Sequence, residues 1–480
     1  MKKKIDLPQV SEVTLPEVFH LRPGVYILIL LAIILLLVVF FVTIFPALIK
    51  GGRYVTFNAP LDESGIYLDG TYLGGSEHQY FIKTGTYKVD YYKGGIKYAS
   101  DTLEVDRPLF LTALIHRTKT VDPPSLDLDS AAAKEIIRFD LNEIAQASAI
   151  LDYDMVIRQA PLYRNLAGDL TALGFDPSYI QDAMLLALHY VTAPEIFEDA
   201  ARSVPLLNDS LLTSTLSSIS DLFGEEGHIT QDLPQGETPP VNTAVLQAGE
   251  IQIPGALYDP VDIKMGKITP LQYPQIKEMP VVVQESSFAL ALLPVSQYQY
   301  ALFVEENPQW ARSNLANLKA QGLVDDSYLD GIALSTLFAS NRPITNISWH
   351  AANAFSQWIG KKSGKRVFLP TEAMFTVAAV SHPNLRYETS IGAVSPTDGH
   401  PAALLGGVWE MTSTPYIPLA RLLGYERALK LHTEYALQVD PIVKGGSYLT
   451  AQGSIDVHTV GVIDNAACSE QIGFRIAWEQ

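Results

Sequence analysis

NRPITNISWHAANAFSQWIGKKSGKRVFLPTEAMFTVAAV, Asn341 to Val380, reads as two helices set around a Leu-Pro-Thr-Glu turn at Leu369 to Glu372. Upstream, SSFALALLPVSQYQYALFVEENPQW, Ser286 to Trp310, places a strand ahead of a helix. Downstream, GGVWEMTSTPY, Gly406 to Tyr416, is a glycine-rich turn entering a strand. VKGGSY, Val443 to Tyr448, and IGFRIAW, Ile472 to Trp478, follow near the C-terminus. From about residue 248 onward, short helices and strands are mixed with long loops, an α+β pattern.

The whole chain has 480 residues, room for about three domains. Hydrophobic residues make up 48% and charged residues 18%, which describes a globular chain rather than a disordered one. The formal net charge of −18 argues against gripping nucleic acid, whose phosphates call for clustered Lys and Arg. A single cysteine, Cys468, excludes an internal disulfide framework, a thiolate zinc site and an iron–sulfur cluster.

VYILILLAIILLLVVFFVTIFPALI, Val25 to Ile49, carries no charge. As a helix it would span about 37 Å, more than the roughly 30 Å hydrocarbon core. The run is too long for a cleaved signal peptide and lacks a small-x-small site behind it. Lys2, Lys3, Lys4 and Arg22 precede it, and Lys50 and Arg53 follow. The positive-inside rule then predicts a cytoplasmic tail over 1–24, a transmembrane helix over 25–49, and the rest of the chain outside the cytoplasm. For a bacterium that means the periplasmic side of the inner membrane.

Residues 54–118 read as short strands rich in β-branched and aromatic residues. The runs are VTFNAP, GIYLDGTYLGG, EHQYFIK, TYKVDYYKGG, IKYASDTLEV and LFLTALIH, with hairpin turns at LDG and KGG. IYLDGTYLG followed by KTGTYKVDYYKGG resembles the PEGA module, a small extracytoplasmic β-domain, although the namesake tetrapeptide is absent and Asp62-Glu63-Ser64-Gly65 stands nearby. Its tyrosines are candidates for a contact surface. Residues 124–223 switch to helical periodicity, with Ser130, Asp176 and Asn208 as expected caps, and read as a small helical bundle. The stretch 224–247, acidic and bearing Pro and Gly, reads as a linker. Residues 248–480 form the last domain.

The order and spacing of the C-terminal motifs resemble the formylglycine-generating enzyme family, or sulfatase-modifying factor domain. That resemblance implies a low-regularity α+β fold related to C-type lectins. It also implies copper(I) held by two cysteines, two and seven residues after the tyrosine of Gly-Gly-Ser-Tyr. On Gly445-Gly446-Ser447-Tyr448 those positions hold Thr450 and Ile455. Copper(I) wants soft sulfur ligands, which neither residue offers, so copper is not expected. The family's arginine-rich stretch is replaced by DVHTVGVID. The resemblance further implies calcium at the Gly-Asn-Val-Trp-Glu turn. Here Gly406, Val408 and Glu410 match, but Ala403 replaces an asparagine ligand, so calcium is expected to be weak or absent. A second calcium loop seen in the family is shortened away between His382 and Ala402.

The remaining candidates are weaker. The ten histidines show no HxxxH or HxH pair, which disfavours a histidine metal site. Glu410 has an alternative reading, as a carboxylate held by backbone N–H groups. Arg475 reads as a buried structural arginine paired with a carboxylate. Trp349, Trp358, Trp409 and Trp478 read as core, and Asn346-Ile347-Ser348 as a chance glycosylation sequon. Tyr448, Thr450, Ile455 and His458 mark the lectin-like cleft that a protein, peptide or glycan of the envelope would enter. A binding or scaffolding protein, a pseudoenzyme, is the leading expectation. An enzyme of the same superfamily using other residues and a purely structural envelope component are the alternatives.

Overall fold

The computed structural model describes residues 22–45, 49, 51–76, 78–108, 117–149, 161–223, 242–265, 281–334, 340–381, 399–450, 455 and 457–479. The chain divides into two compact units, Met1–Ile136 and Ile137–Gln480. Together they are a multidomain α+β protein with one apolar N-terminal helix.

In the first unit, helix α1 runs Pro23–Thr43, with Pro23 at the first helical position where its missing N–H costs nothing. It is long and apolar enough to cross a membrane. It stops at Thr43, short of the expected Ile49, and 46–48 lie outside the described residues. Seven strands follow among the described residues: β1 (Gly52–Phe57), β2 (Gly65–Leu68), β3 (Thr71–Gly75), β4 (Gln79–Lys83), β5 (Gly85–Lys93), β6 (Ile96–Val105) and β7 (Thr118–Val121). They form two sheets, ordered β4-β1-β7 and β3-β2-β5-β6. Val55, Phe57, Ile66, Val89, Tyr91 and Leu103 supply the apolar core. The β2–β3 hairpin turns on Asp69 (φ 48°) and Gly70 (φ 80°), and the β5–β6 hairpin on Gly94 (φ 55°) and Gly95 (φ 79°). Positive φ at both central positions gives the turn whose twist matches the strands. LFLTALIH, Leu109 to His116, expected as a strand, lies wholly outside the described residues.

The second unit begins within α2 (Ser130–Ala149) and continues through α3 (Leu162–Ala172), α4 (Pro177–Leu188), α5 (Pro194–Ser203) and α6 (Ser210–Phe223). Asp176 caps α4 as expected, accepting from the Ser178 and Tyr179 amides. At the other two starts the cap is the neighbouring aspartate. Asp129 accepts from Ala132 N–H at 2.7 Å, with Ser130 already helical, and Asp209 accepts from Leu212 N–H at 2.9 Å. Asn208 instead takes a left-handed conformation ending a short 3₁₀ turn.

The remaining strands are β8 (Asn242–Ala248), β9 (Ile251–Tyr258), β10 (Val261–Met265), β11 (Val281–Glu285), β12 (Phe288–Ala291), β13 (Val367–Phe368), β14 (Trp409–Pro415), β15 (Pro441–Lys444), β16 (Val460–Val462), β17 (Ile472–Gly473) and β18 (Ala477–Trp478). They form sheets ordered β13-β18-β12-β9-β8, β16-β15-β14-β17 and β10-β11. Here the expected linker is corrected. β8 takes up the last six residues of 224–247 and pairs with β9 along its whole length, so 242–248 is an edge strand of the main sheet. The helices are α7 (Gln297–Glu306), α8 (Leu315–Ala320), α9 (Trp349–Ser363), α10 (Glu372–Ser381), α11 (Ala420–Leu423) and α12 (Tyr425–Tyr435). α9 and α10 flank the Leu-Pro-Thr-Glu turn, whose Thr371 hydroxyl accepts from Met374 N–H at 3.0 Å. Trp358 and Trp478 are buried, Trp349 and Trp409 half-buried.

The α2–α6 segment is not a separate bundle, because it shares one hydrophobic core with the C-terminal domain. Leu166, Leu186 and Leu212 pack in the same cluster as Phe375, Ala428 and Leu431. The excursion between β14 and β15 that carries α11 and α12 provides the seam. Its Leu419 N–H donates to His189 O at 3.0 Å, and its Tyr435 hydroxyl to Tyr179 O at 3.1 Å. Just after α12, Gln438 N–H donates to Asn142 Oδ1 at 3.0 Å. Arg427 pairs with Asp182 at 3.1 Å on the exposed rim.

Candidate functional site

β15 delivers the chain into Gly445 (φ 92°) and Gly446 (φ 71°), backbone that L side chains rarely adopt. A Cβ at Gly445 would collide with the Leu404 carbonyl, and one at Gly446 would stand 2.8 Å from the Ile455 side chain. The glycines therefore let the loop press onto the Gly406-Gly407 turn. Gly406 N–H donates to Gly445 O and Tyr448 N–H to Gly407 O, each at 2.9 Å. Ser447 is buried and donates its hydroxyl to Gln471 Oε1 at 2.7 Å.

Thr450 closes this turn. Its N–H donates to Ser447 O at 2.9 Å, and its hydroxyl accepts from Ser447 N–H at 3.0 Å. Ile455 is 8% exposed and belongs to the apolar cluster with Phe375, Leu404 and Leu405. The two positions the resemblance assigns to copper thus hold a turn hydroxyl and a core methyl group, and they do not fit copper(I). Tyr448 is half-buried beside them and Leu449 is exposed. His458 is half-buried, one residue beyond Val457, whose carbonyl accepts from Lys444 Nζ at 3.2 Å.

Cys468 offers no substitute thiolate. It is buried, its N–H donates to Asp325 Oδ2 at 2.9 Å, and burial pushes the thiol up to about 12. At neutral pH it is a thiol, neither nucleophile nor soft ligand. Among the described residues, no three His, Cys, Asp or Glu side chains converge as a metal site.

Glu410 has a partner other than calcium or backbone amides. Its Oε2 and Oε1 accept from Arg475 Nε and Nη2, both at 2.5 Å, and both side chains are 0% exposed. Arg475 also donates to Ala291 O at 3.1 Å, Leu292 O at 3.5 Å and Ala402 O at 3.1 Å. Burial pushes the Glu410 carboxyl up, and the Arg475 guanidinium that holds both its oxygens draws it back. Gly406 and Val408 remain on the turn, but the carboxylate that would anchor a calcium ion is turned to Arg475. This corrects the expected Glu410, Gly406 and Val408 site. The second calcium loop, 382–398, lies outside the described residues.

A second buried charge cluster was not anticipated from the sequence. Glu372, at the start of α10, accepts from Arg421 Nη2 at 2.5 Å and lies 3.9 Å from Lys444 Nζ. The Tyr425 hydroxyl stands 3.5 Å from its other oxygen, and Glu372 N–H donates to Thr414 Oγ1 at 2.8 Å. Glu372, Tyr416, Arg421, Tyr425, Leu429 and Val460 line a narrow cleft of about 10 Å³, room for a single water. Tyr448, Thr450, Ile455 and His458 do not line it. Only the first-turn acid of the Leu-Pro-Thr-Glu motif could have signalled this cluster; its partners come from four other elements.

A family model described as sulfatase-modifying factor enzyme 1-like domain matches residues 239–403. The Gly-Gly-Ser-Tyr loop and Arg475 lie C-terminal to the matched range. An uncharacterised protein of Borreliella burgdorferi is 23% identical over 400 residues, covering 75% of this chain and 78% of its own. Two solved structures resemble the chain at 14% identity and a TM-score of 0.34. PvdO from Pseudomonas aeruginosa covers 51% of this chain and 100% of its own, and Treponema denticola variable protein 1 covers 50% and 100%.

Proposed function

We propose that this chain is a membrane-anchored, extracytoplasmic binding and scaffolding protein whose C-terminal domain has the sulfatase-modifying-factor fold without its chemistry. One observation carries the reading. Thr450 and Ile455 are built into the loop as turn and core, so the oxygen-activating site has been replaced rather than merely vacated. No cofactor is required, and calcium stabilises the domain weakly or not at all. The N-terminal strands act as a PEGA-like module, and the helices α2–α6 act as a buttress for the last domain. The partner is an envelope protein, peptide or glycan.

The catalytic half of this proposal is tested with a sulfatase-type cysteine peptide, copper(I), reductant and oxygen. Mass spectrometry is expected to find the peptide unconverted. Turnover lost on Cys468→Ser would reinstate a thiol-dependent enzyme. Turnover indifferent to that change would point to the Glu372, Arg421, Lys444 and Tyr425 cluster, whose charges converge beside a cleft. The topological half rests on α1 behind a basic N-terminus. A C-terminal fusion to a reporter active only outside the cytoplasm is expected to be active, and activity from a cytoplasm-only reporter would reverse the orientation.

A further inference from the structure

The sheet β3-β2-β5-β6 turns one face to the core of its module and the other outward. Directly paired residues share a face. Tyr67 pairs with Tyr72 on one side and Asp90 on the other, and Gly65 pairs with Tyr92. Tyr72, Tyr67 and Tyr92 therefore form a row across three strands. Ring centroids are 5.2 Å apart for Tyr67–Tyr72 and 4.6 Å for Tyr67–Tyr92, tilted by 55° and 53°. Tyr72 is 60% exposed, and the other two are half-buried. Beside the row, buried Asp90 accepts from the Ser100 hydroxyl at 2.7 Å and pairs with Lys97 at 2.6 Å and Lys88 at 3.4 Å.

We propose that this outward face binds a neutral glycan strand, stacking pyranose rings along the Tyr72–Tyr67–Tyr92 row. The row does no core work, because the module's interior is filled from the opposite face by Ile66, Val89 and Tyr91. A tyrosine ring offers an apolar face with negative quadrupole, which matches the polarised C–H groups of a sugar's face. Lys88 and Lys97, on the rim of the row, can donate to ring-edge hydroxyls. The charge balance selects a neutral ligand. Residues 51–121 hold eight Lys or Arg and eight Asp or Glu, within a chain whose formal charge is −18. An anionic polysaccharide or acidic lipid surface would call for an excess of cations, which the module as a whole lacks. The inference stands independently of the C-terminal domain being non-catalytic.

The test is calorimetric titration of the full chain, in a detergent without a sugar headgroup, with chitohexaose and cellohexaose. At least one is expected to bind. Tyr72→Ala should weaken it about five- to tenfold, while Tyr72→Phe, which keeps the ring, should hold it within about twofold. Tyr72 is exposed, so neither variant threatens folding, and unchanged melting would confirm that. No binding to either oligosaccharide overturns the proposal, as does binding indifferent to Tyr72→Ala. Preferential binding of heparin or of phosphatidylglycerol vesicles would also overturn it, by assigning the face to anions.

Discussion

Replacing Arg475 by methionine is expected to cost about 3–5 kcal/mol of folding stability. The reason is what the substitution strands. Glu410 would be left 0% exposed, with both oxygens deprived of their donors. Three backbone carbonyls, those of Ala291, Leu292 and Ala402, would lose a partner as well. Removing the charge from both sides, as Arg475→Met with Glu410→Leu, should return a large part of the loss, because a pair swapped for apolar side chains leaves no orphan ion. Urea denaturation with an unchanged m-value measures both effects. A single variant within about 1 kcal/mol of the parent would show that the pair is not the buried tie described here.

Acidification is the second large effect. His189 and His432 are both held down to about 4 from 6.5, principally by burial. His189 donates Nδ1–H to Leu185 O at 2.7 Å, and among the described residues its Nε2 has no hydrogen-bond partner; nor does Nε2 of His432. A proton added there would be a buried charge facing no acceptor. Each folded pKa lies below the unfolded one, so the unfolded chain takes up protons first. Stability is therefore level above about pH 6.5, falls between 6.5 and about 4, and levels off below. The loss amounts to about 3 kcal/mol per imidazole. Carboxylates complicate the absolute curve. Asp176 and Asp209, lowered by hydrogen bonds, add to the loss at still lower pH, whereas Glu285 and Asp440, raised by burial, oppose it. The measurement is therefore a difference: denaturation midpoints against pH for the parent and for His189→Gln with His432→Gln. The double variant should show a flatter slope between pH 6.5 and 4, and an identical slope would refute the assignment.

What the sequence revealed and what it hid divide along a physical line. The hairpins at Asp69-Gly70 and Gly94-Gly95 were legible because a two-residue turn with positive φ is a local demand that glycine answers. The apolar helix was legible because length and composition alone specify it. The caps of α2 and α6 were misplaced by one residue because Asp129-Ser130 and Asn208-Asp209 each offer two competent oxygens, and only the backbone geometry chooses. Arg475 could be recognised as needing a buried carboxylate, but Glu410 stands 65 residues away and the sequence pointed that glutamate elsewhere. The docking of α2–α6 was hidden for the same reason. An apolar stripe announces that a partner exists without naming it, and here the partner is an excursion between two distant strands. β8 was lost in the linker because NTAVLQA is a short run directly behind a Pro- and Gly-bearing stretch, and only its ladder with β9 makes it a strand.

The guanidinium of Arg475 sits among five oxygens, two from Glu410 and three from the main chain. Electrostatically that is the coordination shell of a hard metal ion, filled by a cation covalently wired to the polymer. A dissolved ion has a dissociation constant and leaves when its concentration falls or a chelator arrives. This one has neither an off-rate nor a competitor. Its charge arrives with translation, at one equivalent per chain, and it persists in whatever ionic medium the domain meets.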